Sequence, residues 1–126
     1  MNMELSGLDG IRWCVEDALR FVEREVRREK AYDLIVMDPP SWGLGPKGEK
    51  WKLEEKLGLL IQSAAKIVAP GGAVVMNTYS GLSPSSLENL WRTVWPGCRI
   101  EAGELCLSSG TGQVLPTGSL VRVVRP

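Results

Sequence analysis

The sequence contains no histidine. That absence removes imidazole general bases, Ser–His and Cys–His nucleophile pairs, and most zinc sites. Cysteine is scarce: Cys14, Cys98 and Cys106 are scattered without paired spacing. An odd count without a Cys-x-x-Cys favours reduced thiols in a cytosolic protein over a disulfide framework. Neither sign of charge is in excess, since 15 Lys plus Arg balance 15 Asp plus Glu. No net field therefore draws the chain toward nucleic acid or an anionic membrane. No apolar run reaches membrane-spanning length, and the N-terminus does not read as a signal peptide. Repeats, low-complexity tracts and interdomain linkers are also missing. What remains is 126 residues, enough for one domain around one core. Its chemistry must come from carboxylates, backbone, hydroxyls or a reactive cofactor.

The most informative stretch present is Tyr32-Asp33-Leu34-Ile35-Val36-Met37-Asp38-Pro39-Pro40-Ser41-Trp42. Residues 34–37 are short, aliphatic and unbroken, as in a strand buried on both faces of a parallel sheet. Pro39 and Pro40 cannot donate ladder hydrogen bonds, so the strand stops there. Asp38 is left at the carboxyl end of a central strand, the edge where ligands bind in open α/β sheets. The alternative is a plain Pro-Pro turn with an acid beside it.

Around this run the chain alternates. Residues 11–15 alternate apolar and polar and read as a strand. Asp17 opens a helix over 18–30, with Leu19, Val22 and Val26 as its apolar stripe. After 34–37, the stretch 41–50 holds three glycines and a proline and reads as a loop. A long helix follows over 51–68, with Leu53, Leu57, Leu60, Ile61, Ala64 and Val68 at helical spacing. Pro70-Gly71-Gly72 ends it, and 73–79 is a second aliphatic strand. Ser83-Pro84 starts a helix by N-cap and first-turn proline. Leu87, Leu90, Trp91 and Val94 form its inner face, and Pro96-Gly97 ends it. Strands at 99–107 and 120–124 have no helix between them and should pair antiparallel. Strands alternating with helices imply an α/β fold, mostly parallel, with a C-terminal antiparallel hairpin.

This order, with Asp38-Pro39-Pro40, resembles the class I S-adenosylmethionine-dependent methyltransferases. Residues 4–8 and Ile11-Arg12-Trp13 look like the stretch after the second strand of the bacterial rRNA base methyltransferase group. Glu16-Asp17-Ala18 matches that group's motif at the end of its third strand. The most specific stretch is Asp38-Pro39-Pro40-Ser41-Trp42-Gly43, then Gly45-Pro46-Lys47-Gly48-Glu49 and Trp51-Lys52-Leu53. It is similar to one subgroup's Asp-Pro-Pro-Ser-Phe-Gly, Gly-Pro-Lys-Gly-Glu, Trp-Lys-Leu signature. The chain departs from the family at its start. The first strand, its Gly-rich turn and the acid ending the second strand have no counterpart, so the expectation is a Rossmann-like sheet lacking its first two strands. Residues 1–126 then read as the C-terminal two-thirds of a catalytic domain, an N-terminally truncated one. The missing strands would leave an open apolar edge, and with it self-association.

The resemblance assigns roles. S-adenosylmethionine is the implied cofactor, with Glu16, Asp17, Ala18 and Asp38 on it. Asp17 accepts from the adenine amino group and the Ala18 backbone reads the ring edge. Locally, Asp17 is equally a helix N-cap. Asp38, Pro39 and Pro40 form the implied catalytic group. The Asp38 carboxylate and Pro39 carbonyl accept from the target nitrogen, holding its lone pair toward the methyl group, and Pro40 walls the base. Ser41, Trp42, Lys47 and Tyr79 are the implied substrate contacts. Trp42 is alternatively a core or lid aromatic, and Lys47, Lys50 and Lys52 a solvated loop and helix start. Relatives that methylate cytosine at carbon-5 carry a cysteine within the equivalent of Asn77-Thr78-Tyr79-Ser80, and none is present. That argues against a covalent adduct and toward a guanine or adenine nitrogen. The three cysteines read as buried small hydrophobes. The implied partner is rRNA, with no membrane and no metal, and the implied location cytoplasmic. Two other readings stay open: a non-catalytic α/β fragment, and a small-molecule or protein methyltransferase on the same fold.

Overall fold

The computed structural model of the chain describes residues 2–44, 48, 50–79 and 81–126. The elements are α1 (Asn2–Leu5), α2 (Ala18–Arg27), β1 (Tyr32–Met37), β2 (Trp42–Leu44), β3 (Lys50–Lys52), α3 (Leu53–Lys66), β4 (Val68–Thr78), α4 (Pro84–Val94), β5 (Arg99–Ser108) and β6 (Val114–Val124). Four strands form one sheet in the order β1-β4-β6-β5. β1 runs parallel to β4, while β4–β6 and β5–β6 are antiparallel. The α/β class and the terminal hairpin stand as expected. Within this sheet the balance is one parallel ladder to two antiparallel ones, rather than mostly parallel.

That shift has a physical cause. Residues 11–15, read as a strand, form none; they run as exposed coil. Alternation marks a segment suited to a half-buried strand but supplies no neighbour, and a strand without a ladder partner does not hold its conformation.

The core lies on one face of the sheet. Leu53, Leu57, Leu60, Ile61 and Ala64 of α3 and Leu87 and Trp91 of α4 pack on Val74 and Met76 of β4 and Val121 and Val123 of β6. Leu19 and Val22 of α2 pack at its margin. Within β1, Ile35 and Met37 face this core, whereas Leu34 and Val36 are 56% and 70% exposed. No helix among the described residues is long and apolar enough to cross a membrane.

Two further expectations change. Pro70-Gly71-Gly72 does not end α3, which stops at Lys66 with Ile67 as its cap. It lies within β4 as a bulge: between Tyr32↔Val68 and Leu34↔Ala73, β4 advances five residues while β1 advances two. Gly71 takes φ 75°, and a Cβ on Gly72 would fall 2.9 Å from the Asp33 carbonyl oxygen. The expected loop 41–50 instead contributes to an antiparallel ribbon, β2 on β3, which takes Trp51 and Lys52 out of the helix. The Leu53 N–H donates to the Ser41 carbonyl at 3.2 Å, so the ribbon itself closes the start of α3. This replaces the side-chain cap that Lys52 does not supply.

Candidate active site

The last register pair of the parallel ladder is Met37↔Met76. Both methionines point into the core. The next residue on each strand, Asp38 and Asn77, therefore turns to the opposite face at the carboxyl end of the sheet. The Asn77 Nδ2 donates to the Asp38 Oδ1 at 3.3 Å. Pro39 is buried, and Asp38 and Pro40 are exposed. The diproline thus terminates β1 with the carboxylate out in solvent and tethered to the neighbouring strand.

Beyond the end of β4 lies a cleft of about 540 Å³, lined by Thr78, Tyr79, Ser83, Glu104, Thr117 and Ser119 among others. Its floor is built by the hairpin. The Ser119 hydroxyl donates to the Leu82 carbonyl at 2.6 Å, tying β6 to the entry of α4. Ser83 accepts from the Ser86 N–H at 3.1 Å, and Pro84 occupies the first turn, as the sequence anticipates. Gly118 comes so close to β4 that a Cβ on it would sit 2.6 Å from the Thr78 carbonyl oxygen.

The chain shares this architecture with solved proteins. It matches the SAM-dependent methyltransferase from Agrobacterium tumefaciens at 34% identity and TM-score 0.88, over 99% of this chain and 44% of that one. The chain has the fold of the SAM-dependent methyltransferases. It matches SMU.776, a candidate methyltransferase solved with SAH, at 18% identity and TM-score 0.75, over 97% of this chain and 34% of that one. It also matches the N-methyltransferase NodS from Bradyrhizobium japonicum WM9, solved with S-adenosyl-L-homocysteine. That match has 17% identity and TM-score 0.58, over 98% of this chain and 59% of NodS. The chain thus spans less than half of the Agrobacterium methyltransferase and about a third of SMU.776. No family model matches the sequence, and no curated protein matches it significantly.

Of the residues read as cofactor-binding, Glu16, Asp17 and Ala18 stand at the amino end of α2, and Asp38 follows the last residue of β1. α2 ends four residues before β1 begins, with Glu29 at φ 53° turning the chain. Asp17 Oδ1 accepts from the Arg20 N–H at 3.0 Å, so the N-cap role is realised. Ala18 is the first helical residue, and its N–H has no intrahelical acceptor. A carboxylate beside an N–H outside the helix ladder is a pair that suits an adenine edge, one group accepting from the amine and the other donating to a ring nitrogen. The residues present fit the adenine end of S-adenosylmethionine. No Gly-rich strand–turn in residues 1–16 offers the same to its methionine end. Glu16 is engaged elsewhere: Arg24 Nη1 donates to both its oxygens, at 2.8 and 2.6 Å.

A buried clasp holds α2 in place. The Tyr32 hydroxyl donates to Glu25 Oε2 at 2.6 Å, and Arg28 approaches the other oxygen at 3.5 Å. The Tyr32 hydrogen bond, with Arg28 and Arg24 adding to it against the opposing effect of burial, holds Glu25 below the usual carboxylate range. The same bond, helped by burial, pushes the Tyr32 phenol up.

Of the implied substrate contacts, Tyr79 is exposed and lines the cleft. Ser41 is exposed and engages α3 through its carbonyl. Trp42 is described by its backbone alone, paired with Lys52. Lys47 lies outside the described residues. Among the thiols, Cys98 is buried, and burial pushes it up. Cys14 and Cys106 are exposed, which corrects the reading of all three as buried hydrophobes. Among the described residues, no three His, Cys, Asp or Glu side chains converge as a metal site. Sequence reasoning passed over Asn77 and Gly118. Their shared signal was position: Asn77 is the second-to-last residue of β4, and Gly118 lies in β6 against the end of that strand.

Proposed function

We propose that this chain forms the target-facing part of an S-adenosylmethionine-dependent methyltransferase that modifies a guanine or adenine nitrogen of rRNA. One observation carries the reading: Asp38, followed by Pro39-Pro40, is held at the carboxyl end of β1 by Asn77, the residue that leads into Thr78 and Tyr79 of the cleft lining. A carboxylate there accepts from the N–H of a target nitrogen, and the Pro39 carbonyl is the second acceptor. Two acceptors fix the amine so that its lone pair points along the line of attack, which is most of what this reaction asks of a protein. When bound, S-adenosylmethionine would supply an electrophilic methyl group whose sulfur would depart as a neutral thioether, while Asp38 would orient the target nitrogen and accept the proton it sheds. No histidine is needed. Tyr79, Pro40 and Trp42 offer surfaces for a base turned out of its helix, and Lys47, Lys50 and Lys52 a phosphate contact. The rRNA assignment rests on residues 38–53, not on net charge. The reading places the protein in the cytoplasm, as the carboxyl two-thirds of one catalytic domain.

Titration calorimetry of the chain with S-adenosylhomocysteine tests the reading. One-site micromolar binding that Asp17→Ala weakens about tenfold supports it. A folded chain that binds nothing favours the second reading, a fragment without activity of its own. That reading draws on the coverage of under half of the Agrobacterium methyltransferase and on the missing Gly-rich turn.

A further inference from the structure

The amide of Asn77 is divided in an informative way. Its Nδ2 donates to Asp38, while its Oδ1 is buried and has no hydrogen-bond partner among the described residues. An uncompensated buried acceptor is unfavourable, and a hydrophobic residue in that position of β4 would avoid it. The orientation is set by Asp38: an ionised carboxylate only accepts, so the amide must present its nitrogen there and turn its oxygen the other way. The oxygen then faces β6, and Gly118 makes the room. A Cβ at Gly118 would lie 3.0 Å from that oxygen. Register makes the pairing specific, because Asp38 and Asn77 each follow the last paired methionine of adjacent parallel strands.

We infer that Asn77 is a positioning residue for methyl transfer: it anchors Asp38 Oδ1 so that Oδ2 is presented to the target nitrogen. This rests on the functional reading above. Without the anchor, Asp38 is an exposed side chain at a strand end, free to rotate away from the reacting nitrogen. Asn77 touches neither reactant; it acts through Asp38.

Two measurements on the full chain test the role. In the first, the Asn77 side-chain amide is followed by NMR through an acid titration. Its proton shifts should follow protonation of a carboxylate, and Asp38→Asn should abolish that response. An amide that ignores both overturns the pairing. In the second, methyl transfer to rRNA is compared in wild type, Asn77→Asp and Asn77→Ala. Asn77→Asp keeps the shape but replaces the donor with an acceptor. It should lower kcat at least tenfold and leave the KM for S-adenosylmethionine unchanged in a chain that still folds, while the carboxylate set against Asp38 lowers the unfolding midpoint. Wild-type kcat in Asn77→Asp, with a lowered unfolding midpoint in Asn77→Ala, would mean a packing role and overturn the inference alone. A wild-type chain that transfers no methyl group would overturn the functional reading, and the positioning role with it, whatever the amide shows.

Discussion

Gly118 presses the hairpin against the end of β4, and little else would fit. Its φ of 149° disfavours a side chain, and a Cβ would meet the Thr78 carbonyl oxygen at 2.6 Å and Tyr79 Cδ1 at 3.2 Å. Gly118→Ala should therefore destabilise the fold by about 1–3 kcal/mol through forced backbone movement, read as a lower denaturant midpoint with unchanged slope. The Glu25–Tyr32 clasp gives a pH prediction. Glu25 is held below its ordinary range, so its contribution is present above the unfolded-state pKa and is lost as pH falls through the folded one. Tyr32 is raised, so its contribution holds below the ordinary phenol range and is lost as pH rises through the folded pKa. Tyr32→Phe should move the acid-unfolding midpoint to higher pH and blunt the alkaline loss, followed by circular dichroism; an unmoved acid midpoint would refute the clasp. At this scale Asp38 and Asp17 were legible because each stands beside a residue of fixed backbone meaning, a diproline or a helix start. Asn77 and Glu25 were not, since an amide in a strand and an acid in a helix acquire partners only from register and packing.

The elements were legible where the chain supplies its own boundary. Ser83-Pro84 caps α4 as expected, and Ser83→Ala should cost about 1 kcal/mol, measured by chemical denaturation; no loss would mean that the Ser86 hydroxyl, 2.9 Å away, takes over. Boundaries set by a neighbour were misread. Pro70-Gly71-Gly72 looks like a stop, yet Arg125 N–H donates to the Gly72 carbonyl at 2.9 Å and the Arg125 guanidinium to the Val68 carbonyl, drawing the bulge into β4. Glycine 41–50 chemistry looks like a loop, yet β2 and β3 pair across it. Residues 11–15 have the alternation of a strand and no ladder. In each case the outcome turns on a pairing partner, near or far along the chain, and local pattern carries no information about it.

At the scale of the molecule, the described residues cover the sheet on one side only. α3 and α4 seal one face, and the other shows Leu34 and Val36 of β1 to solvent. A parallel ladder is ordinarily buried on both faces, and β1 is also the sheet's edge, with one ladder partner. Exposed Ile11, Trp13 and Val15 add apolar surface in the preceding segment. An edge strand that is aliphatic, with neither lysine nor proline along it, templates further pairing. We propose that the chain self-associates through this edge, and that Val36→Lys weakens the association while changing fold stability by no more than about 0.5 kcal/mol, as for a surface substitution. Size-exclusion chromatography with light scattering separates the cases. A wild type larger than one chain that returns to monomer with Val36→Lys locates the contact on β1; a monomeric wild type at high concentration removes it. The site depends on the outcome, because Asp38 leaves the carboxyl end of that same strand. A copy or segment paired along β1 would bring its own side chains to the open side of Asp38, across from Asn77, so the edge proposed for association is also where the proposed site would gain a second wall.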